Sequence, residues 1–173
     1  MDIIDSNTDP DFVGDLDKFL ANHHTENLVL DICLPHDSHL KAALTAERMR
    51  IPYIMEKPLT RNLQEAKLLI QVNRRSGLPA MVAENWVHIP VVNRLIQFSR
   101  RPDAGRPRLF EAHMESKPGG SARPWYFDAD VAGGGVLLSG GVHQFSVARR
   151  LLGEPIRLSW ADNESRRVGG SGP

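Results

Sequence analysis

A glutamate and a lysine stand side by side at the end of a short apolar run. Glu56 and Lys57 follow residues 51–55, and Pro58 comes next. An amino group can donate hydrogen bonds to a hydroxyl group, and a neighbouring carboxylate can tune its charge. An X-Pro bond in a tight turn can be cis and can fix the direction of the preceding side chain. Lys57 is therefore a candidate site residue, and a solvated loop pair is the alternative interpretation.

A serine and a histidine four positions apart form the second candidate cluster. Ser139 and His143 follow a run of three glycines at 133–135. On one helix, residues four apart share a face, so a hydroxyl group and an imidazole would lie side by side. Glycines at a helix start free backbone N–H groups and let a ligand approach closely. The pattern is typical of a binding site, and a buried histidine satisfied by protein hydrogen bonds is the alternative.

Neither the adjacent histidines nor the single cysteine indicates a metal or disulfide site. His23 and His24 would point in different directions on a helix, and no third ligand is near them in the sequence. We expect an exposed pair at a helix end and no metal. Cys33 lies in an apolar run, which predicts a buried, unreactive thiol and excludes an intramolecular disulfide.

Composition and charge are those of an ordinary globular protein. The 173 residues are 41% hydrophobic and 24% charged, and Lys plus Arg equals Asp plus Glu at 21 each. A balanced charge creates no field that would attract nucleic acid or an anionic membrane. The sequence has no signal-peptide pattern and no apolar run of transmembrane length. We expect a cytoplasmic protein that binds neither nucleic acid nor membranes.

A β-α-β unit positions the first cluster. Residues 28–33 and 51–55 are apolar runs typical of buried parallel strands. Turn residues at 35–38 separate the first run from a helix predicted at 39–49. In an open parallel sheet, ligands bind beyond the carboxyl ends of the strands. The residues at these two ends are Leu34, Pro35 and His36, and Glu56, Lys57 and Pro58.

The other segments predict a continuing parallel sheet and then a different region. A helix at 62–75 leads to a strand at 78–83, which extends the parallel sheet. After a helix at 90–99, the alternation at 109–115 predicts the first strand of an antiparallel region. Further predicted elements are a short amphipathic helix at 9–20, a helix running from the glycines to Leu152, and a strand at 155–161.

Four segments occur in an order that matches a known family. They are Leu34-Pro35 with His39 downstream, Glu56-Lys57-Pro58-Leu59 with Glu65-Ala66, Trp125 before Gly133-Gly134-Gly135, and Gly141-Val142-His143 with Leu151-Leu152-Gly153. In these segments the sequence resembles the Gfo/Idh/MocA family of NAD(P)-dependent oxidoreductases, which act on sugars, inositols and related polyols. The resemblance covers nearly all of residues 12–160.

The resemblance implies a role for each matched position. Lys57 and His143 match residues that assist proton transfer, and Ser139 completes the implied catalytic set. The cofactor, NAD or NADP, would be lined by Leu34, Pro35, His36, His39, Glu56, Lys57 and Pro58. Trp125 and His143 would contact the sugar or polyol. Hydride transfer would belong to the nicotinamide, while the protein orients the substrate and moves a proton.

Two positions and one missing motif depart from the family pattern. Ser139 stands four residues before His143, where the family commonly has an aspartate. Ser146 stands three residues after it, where another aspartate is frequent. A serine can hydrogen-bond a substrate hydroxyl, but it carries no charge that would tune a lysine or a histidine. Gly14 is the only glycine before residue 28, so the G-x-G-x-x-G turn that binds the cofactor diphosphate is absent there.

The resemblance therefore implies an α/β fold that is truncated at both ends. Residues 1–88 are expected to form a partial Rossmann-type parallel sheet that lacks its first β-α-β unit. Residues 89–165 are expected to begin an incomplete α+β domain with an antiparallel sheet, and 166–173 a disordered tail. We expect a fragment or a truncated gene product with impaired hydride transfer.

Three functions stay open at this point. The first is an NAD(P)-dependent oxidoreductase of sugars or polyols, which can form a homo-oligomer through the sheet of its second domain. The second is a non-catalytic remnant that binds a partner or a sugar through an exposed sheet edge. The third is a related lyase-like or glycosidase-like protein with tightly held NAD.

Overall fold

A three-stranded parallel sheet is the centre of the computed structural model, which describes residues 27–114, 124–153 and 157. Strands β1 (Leu30–Ile32), β2 (Tyr53–Glu56) and β3 (Ala80–Ala83) are neighbours in chain order. Helix α1 (His36–Met49) connects β1 to β2, and α2 (Leu63–Ser76) connects β2 to β3. Parallel strands need such crossovers, so the predicted β-α-β pattern is confirmed. We call residues 28–84 the sheet unit.

One face of the sheet carries the apolar core. Met55 is completely buried (0% exposed), and Tyr53 beside it on the same face is also buried. Their neighbours in the core are Ile32, Ala42, Ala43, Ala46, Leu69 and Leu78. Because side chains alternate along a strand, Ile54 lies on the other face, where it is 37% exposed. Apolar burial on one face therefore joins the sheet to α1 and α2.

Helix α1 begins three residues earlier than the sequence pattern predicted. The turn residues His36, Asp37 and Ser38 form its first turn, and Pro35 is the residue before it. Proline has no N–H to lose at a helix start, and Asp37 lies where the helix dipole favours a negative charge. The early start brings His36 into the helix, directly beside the carboxyl end of β1.

Helix α2 has a capping residue at each end. The side chain of Asn62 accepts a hydrogen bond from the backbone N–H of Glu65 at 2.9 Å. Gly77 follows the helix in the left-handed conformation, with φ of 64°. Asn62 satisfies a free backbone N–H at the start of the helix, and Gly77 ends the helix. The predicted bounds of this helix are confirmed to within one residue.

A buried carboxylate joins α1 to β2 and α2. Glu47 accepts hydrogen bonds from the Tyr53 hydroxyl at 3.1 Å, the Asn73 amide at 2.8 Å and the Ser76 hydroxyl at 2.5 Å. Three donors offset the cost of taking this group out of water. Burial, followed by the nearby Glu47 carboxylate, raises the pKa of Tyr53 above its usual value. The network sets how the two helices lie on the sheet.

The segments after β3 lie at the carboxyl edge of the sheet. Helix α3 (Pro90–Ser99) has the predicted bounds and begins with a proline, which suits the first helical position. The helix predicted to run from the glycines to Leu152 is instead two helices, α5 (Gly135–Ser139) and α6 (Gly141–Leu152), and a short helix, α4 (Ala129–Ala132), precedes the glycines. Glycines lie at both breaks. We call residues 124–153 the edge segment.

The strand predicted at 109–115 is not observed in its described part. Residues 109–114 have no regular secondary structure, and most of their side chains are exposed. No second strand lies beside them among the described residues, and a strand needs a neighbour for its hydrogen bonds. The elements predicted at 9–20 and 166–173 lie outside the described residues, as does 155–161 apart from residue 157.

Cys33 is exposed, so the prediction of a buried thiol was wrong. Strand β1 ends at Ile32, and no strand covers its outer edge among the described residues. Partial desolvation and the nearby carboxylate of Asp31 raise the pKa of the Cys33 thiol to about 11. The thiol is therefore protonated at neutral pH, which keeps its nucleophilicity low.

None of the helices in the described ranges combines the length and the apolar composition needed to cross a membrane.

Candidate functional site

The candidate site lies where the three strands end. Leu34 and His36 follow β1, Lys57 follows β2, and Glu84 follows β3. The edge segment crosses these three ends and contacts each of them through a hydrogen bond. The predicted position of a ligand site at the carboxyl edge thus coincides with a junction between two parts of the chain.

His36 connects α1 to the edge segment. Its Nδ1 lies 2.8 Å from the carbonyl oxygen of Ala132, so Nδ1–H is the donor. Burial lowers the pKa of His36, and the nearby His39 and Lys57 lower it further, which together outweigh the effect of the Ala132 carbonyl. The side chain is 3% exposed, so its imidazole is held neutral in a fixed tautomer.

Trp125 packs directly against His36. The two rings meet edge to face with centroids 4.8 Å apart, and Tyr126 stacks on Trp125 at 4.0 Å. Trp125 is partly buried, and Tyr126 is exposed. Such ring pairs contribute about 0.5–1.5 kcal/mol beyond the area they bury. Trp125, which the resemblance assigned to the substrate, thus lies next to His36, which it assigned to the cofactor.

His39 holds two strand-end loops together. Its ring nitrogens lie 2.9 Å from the carbonyl oxygens of Pro58 and Leu34. The side chain is completely buried (0% exposed). Leu34, Pro58 and His39 were all predicted to line the cofactor, and the structure does bring them together. Both ring nitrogens face backbone carbonyl groups, so the role of His39 in this structure is to connect the loop after β1 to the loop after β2.

Lys57 reaches from the end of β2 to the edge segment. The Lys57–Pro58 peptide bond is cis, as the sequence allowed. The ammonium donates a hydrogen bond to the carbonyl oxygen of Ser139 at 2.8 Å, and the backbone N–H of Lys57 donates to Glu56 Oε2 at 3.2 Å. In the described part of the chain, the bond to Ser139 is the one hydrogen bond of the Lys57 ammonium, which has three N–H donors.

Ser139 contributes its backbone to this contact. Its hydroxyl donates to the carbonyl oxygen of Gly135 at 3.0 Å, inside its own helix. Gly140 separates α5 from α6, so Ser139 and His143 belong to different helices. The expectation that the Ser139 hydroxyl and the imidazole share one helix face therefore fails, because the helix is interrupted between them.

His143 is paired with a carboxylate that the sequence analysis missed. Its Nδ1 lies 2.5 Å from Glu84 Oε1, and the two side chains are 10% and 13% exposed. The indole of Trp86 stacks on the imidazole, with centroids 4.9 Å apart and planes tilted by 8°. Glu84 follows β3 directly, as Glu56 ends β2, so the rule for strand ends could have found it.

Burial and hydrogen bonding act on Glu84 in opposite directions. Burial by itself would raise the pKa of the carboxyl group. The hydrogen bond to His143, the Ser146 hydroxyl and the backbone N–H of Trp86 outweigh burial and lower the pKa of Glu84 below its usual value. Glu84 is therefore a carboxylate at neutral pH.

The glycine run permits close contact between the edge segment and the loop after β2. Gly133 has φ of 83°, and a Cβ at this position would overlap the backbone carbonyl of Arg61. Arg61 also donates a hydrogen bond to the carbonyl oxygen of Asp130 at 2.7 Å and forms an ion pair with Glu65. A glycine is required here both by the backbone conformation and by space.

The described residues contain no group of three or more His, Cys, Asp or Glu side chains placed to hold a metal ion. His23 and His24 lie outside the described residues.

Comparisons with known proteins agree with the resemblance found in the sequence. The model of the GFO/IDH/MocA C-terminal domain matches residues 93–169. The sequence is 28% identical to levoglucosan dehydrogenase of Pseudarthrobacter phenanthrenivorans, over 84% of this chain and 42% of that protein. The chain is similar to the Gfo/Idh/MocA oxidoreductases. The resemblance inferred from the sequence motifs is thereby confirmed.

Solved structures agree in fold. An NAD-binding oxidoreductase from Klebsiella pneumoniae aligns with a TM-score of 0.63 and 28% identity, over 81% of this chain and 37% of that chain. A levoglucosan dehydrogenase in complex with NADH and levoglucosan aligns with a TM-score of 0.61 and 28% identity, over 73% and 35%. The chain spans less than half the length of the curated relatives it matches.

Proposed function

We propose that this chain carries part of the active site of an NAD(P)-dependent oxidoreductase that acts on a sugar, an inositol or a related polyol. One observation carries the proposal: Lys57 and His143 reach the junction of α5 and α6 at the carboxyl edge of a parallel sheet. The related levoglucosan dehydrogenase, solved with NADH and its sugar, supports the same cofactor and substrate class.

The polar groups at the junction fit a nicotinamide nucleotide and a hydroxyl substrate. Lys57 has N–H donors beyond the one given to Ser139. His143 uses Nδ1 for Glu84, and Nε2 has no hydrogen-bond partner among the described residues. A ribose or substrate hydroxyl could accept from Lys57, and Nε2 could accept the hydroxyl proton. When bound, the nicotinamide would supply or accept the hydride.

The neighbouring residues have supporting roles in this proposal. His39 holds the loops after β1 and β2 at a constant separation. His36 and Trp125 form the adjoining wall of the site, with Trp125 on the substrate side. Leu34, Pro35, Glu56 and Pro58 complete the cofactor side. Residues 1–88 and 89–165 are the two proposed domains, and the sheet of the second would support a homo-oligomer.

A non-catalytic remnant is the second candidate, and one observation favours it. Ser139 stands where relatives commonly have an aspartate, and it offers Lys57 only a backbone carbonyl. An uncharged partner does not tune the lysine as a carboxylate would. In this case the chain would bind a partner or a sugar and transfer no hydride.

Titration with NADH and NADPH, followed by nicotinamide fluorescence, separates the two candidates. We expect saturable binding that weakens at least about tenfold in Lys57→Ala, because a charge-assisted hydrogen bond contributes about 1.5–3 kcal/mol. Lys41→Ala is the matched control, since Lys41 is an exposed lysine on α1. A folded chain that binds neither nucleotide would overturn the oxidoreductase proposal and support the remnant.

A further inference from the structure

Glu84 and His143 form a contact that no family motif in the sequence indicated. Glu84 leaves the sheet directly after β3, and His143 lies in the first turn of α6, 59 positions later. The Oε1–Nδ1 distance of 2.5 Å is within hydrogen-bonding range, and the acceptor is a carboxylate, which strengthens such a bond. Both side chains are nearly buried, so water competes little for this contact.

The contact determines which ring nitrogen carries the proton. The pKa of Glu84 is lowered, so its carboxylate is an acceptor only. Nδ1 of His143 must therefore be the donor. In the neutral imidazole this leaves Nε2 with a lone pair, which is the form that can accept a proton.

Trp86 restricts the orientation of the same ring. Its indole lies nearly parallel to the imidazole, and its backbone N–H donates to Glu84 Oε1 at 3.1 Å. One residue thus limits rotation of His143 and also helps to hold the carboxylate. The arrangement positions the histidine from the sheet rather than from its own helix.

We propose that Glu84 is the positioning residue for His143, in place of the charge that Ser139 does not provide. The inference rests on the proposed function of His143. During oxidation of a substrate alcohol, the hydroxyl proton would move to Nε2. The carbinol carbon would lose its hydride to the nicotinamide, and a carbonyl group would form. Glu84 stabilises the resulting imidazolium and stays ionised throughout.

A purely structural role is the alternative that the test must exclude. Glu84 also connects α6 to the sheet, so any substitution that breaks the contact can lower stability. Stability alone therefore cannot decide the question. The tautomer of His143 can, because it changes only if the carboxylate determines the position of the proton.

The experiment is long-range 1H–15N NMR of the imidazoles in the full 173-residue chain, at about pH 8, above the usual histidine range. His143→Gln assigns the resonances. We expect the Nδ1–H form of His143 in the original chain and a shift to mainly Nε2–H in Glu84→Ala. Glu84→Gln keeps the shape, and we expect a mixture of tautomers in it, so the test survives if the alanine variant does not fold.

Glu65→Gln is the control, because the Glu65 side chain is also 13% exposed and forms an ion pair with Arg61. It should leave the His143 tautomer unchanged. A His143 that is Nε2–H in the original chain, or that keeps its tautomer in both Glu84 variants, would overturn the inference. Nucleotide binding is measured separately, so a chain with the Glu84-dependent tautomer and no NADH binding loses the proposed function alone.

Discussion

The sheet unit and the edge segment are held in the molecule by different kinds of contact. In the sheet unit, apolar side chains around Met55 are buried together between the sheet and two helices. The edge segment has fewer buried apolar side chains, those of Ala132, Val147 and Ala148, and it joins the sheet unit through side-chain hydrogen bonds. These bonds come from His36, Lys57 and Arg61 to backbone carbonyls, and from His143 to Glu84.

The two kinds of contact respond differently to substitution. Apolar burial is non-directional and scales with area, so the sheet unit tolerates changes that preserve volume. Hydrogen bonds depend on geometry, and each buried polar group left without its partner costs about 1–3 kcal/mol. At the edge, the same side chains both attach the segment and form the candidate site. Substitutions there should therefore affect ligand binding and local order together.

The largest effect is expected in the core of the sheet unit. Met55→Ala should lower the free energy of unfolding by about 2–5 kcal/mol, because a cavity would replace a completely buried side chain. Ile54→Ala changes the neighbouring residue on the exposed face and should cost about 1 kcal/mol. Urea denaturation measures both. Similar losses in the two variants would contradict the one-sided core.

A smaller but more local effect is expected at the contact between the two regions. Gly133→Ala should cost more than the about 1–2 kcal/mol that a left-handed residue costs alanine, because its Cβ would also overlap the Arg61 carbonyl. Gly77→Ala is the comparison, since Gly77 also has a positive φ but has no neighbouring atom within 4 Å. Denaturation gives the two costs, and hydrogen exchange should show lost protection in α4 for the first variant only.

The mildest prediction concerns pH. The pKa of His36 is lowered in the folded chain, so the unfolded chain binds the proton first as pH falls below about 6.5. Stability that is present above this pH should therefore decrease on acidification toward the folded pKa. His36→Gln should flatten the profile in this window. Glu84 contributes a separate loss at lower pH, below about 4.3, because its folded pKa is also lowered.

An unchanged profile in His36→Gln would mean that His36 does not couple the two regions through its charge. Unfolding measured at several pH values below and above neutrality decides this. The Glu84 loss, at more acidic pH, serves as an internal reference because that residue is intact in the variant.

Several elements could be predicted from the sequence because their signals are local. The bounds of α3 follow from a proline start and its apolar spacing, and those of α2 from Asn62 and Gly77. The start of α1 was missed because turn-forming residues are also acceptable in a first helical turn. The strand expected at 109–115 was predicted from alternation alone, which does not supply a partner strand.

The candidate site was predicted in part. Lys57 and His143 came from family motifs, and the structure brings both to the junction of α5 and α6. The rule for strand ends could have marked Glu84 as a candidate, but its pairing with His143, 59 positions away, follows from no short pattern.

Within the sheet unit, the sequence by itself determined the order of strands and helices and the residue types at the strand ends. Periodicity, caps and turns act over a few residues, and these interactions can be read along the chain. Only the tertiary structure decided that Lys57 meets a backbone carbonyl, that Gly140 interrupts the helix, and that Glu84 faces His143. Such contacts depend on how separate elements pack in space, and a linear pattern does not contain that information.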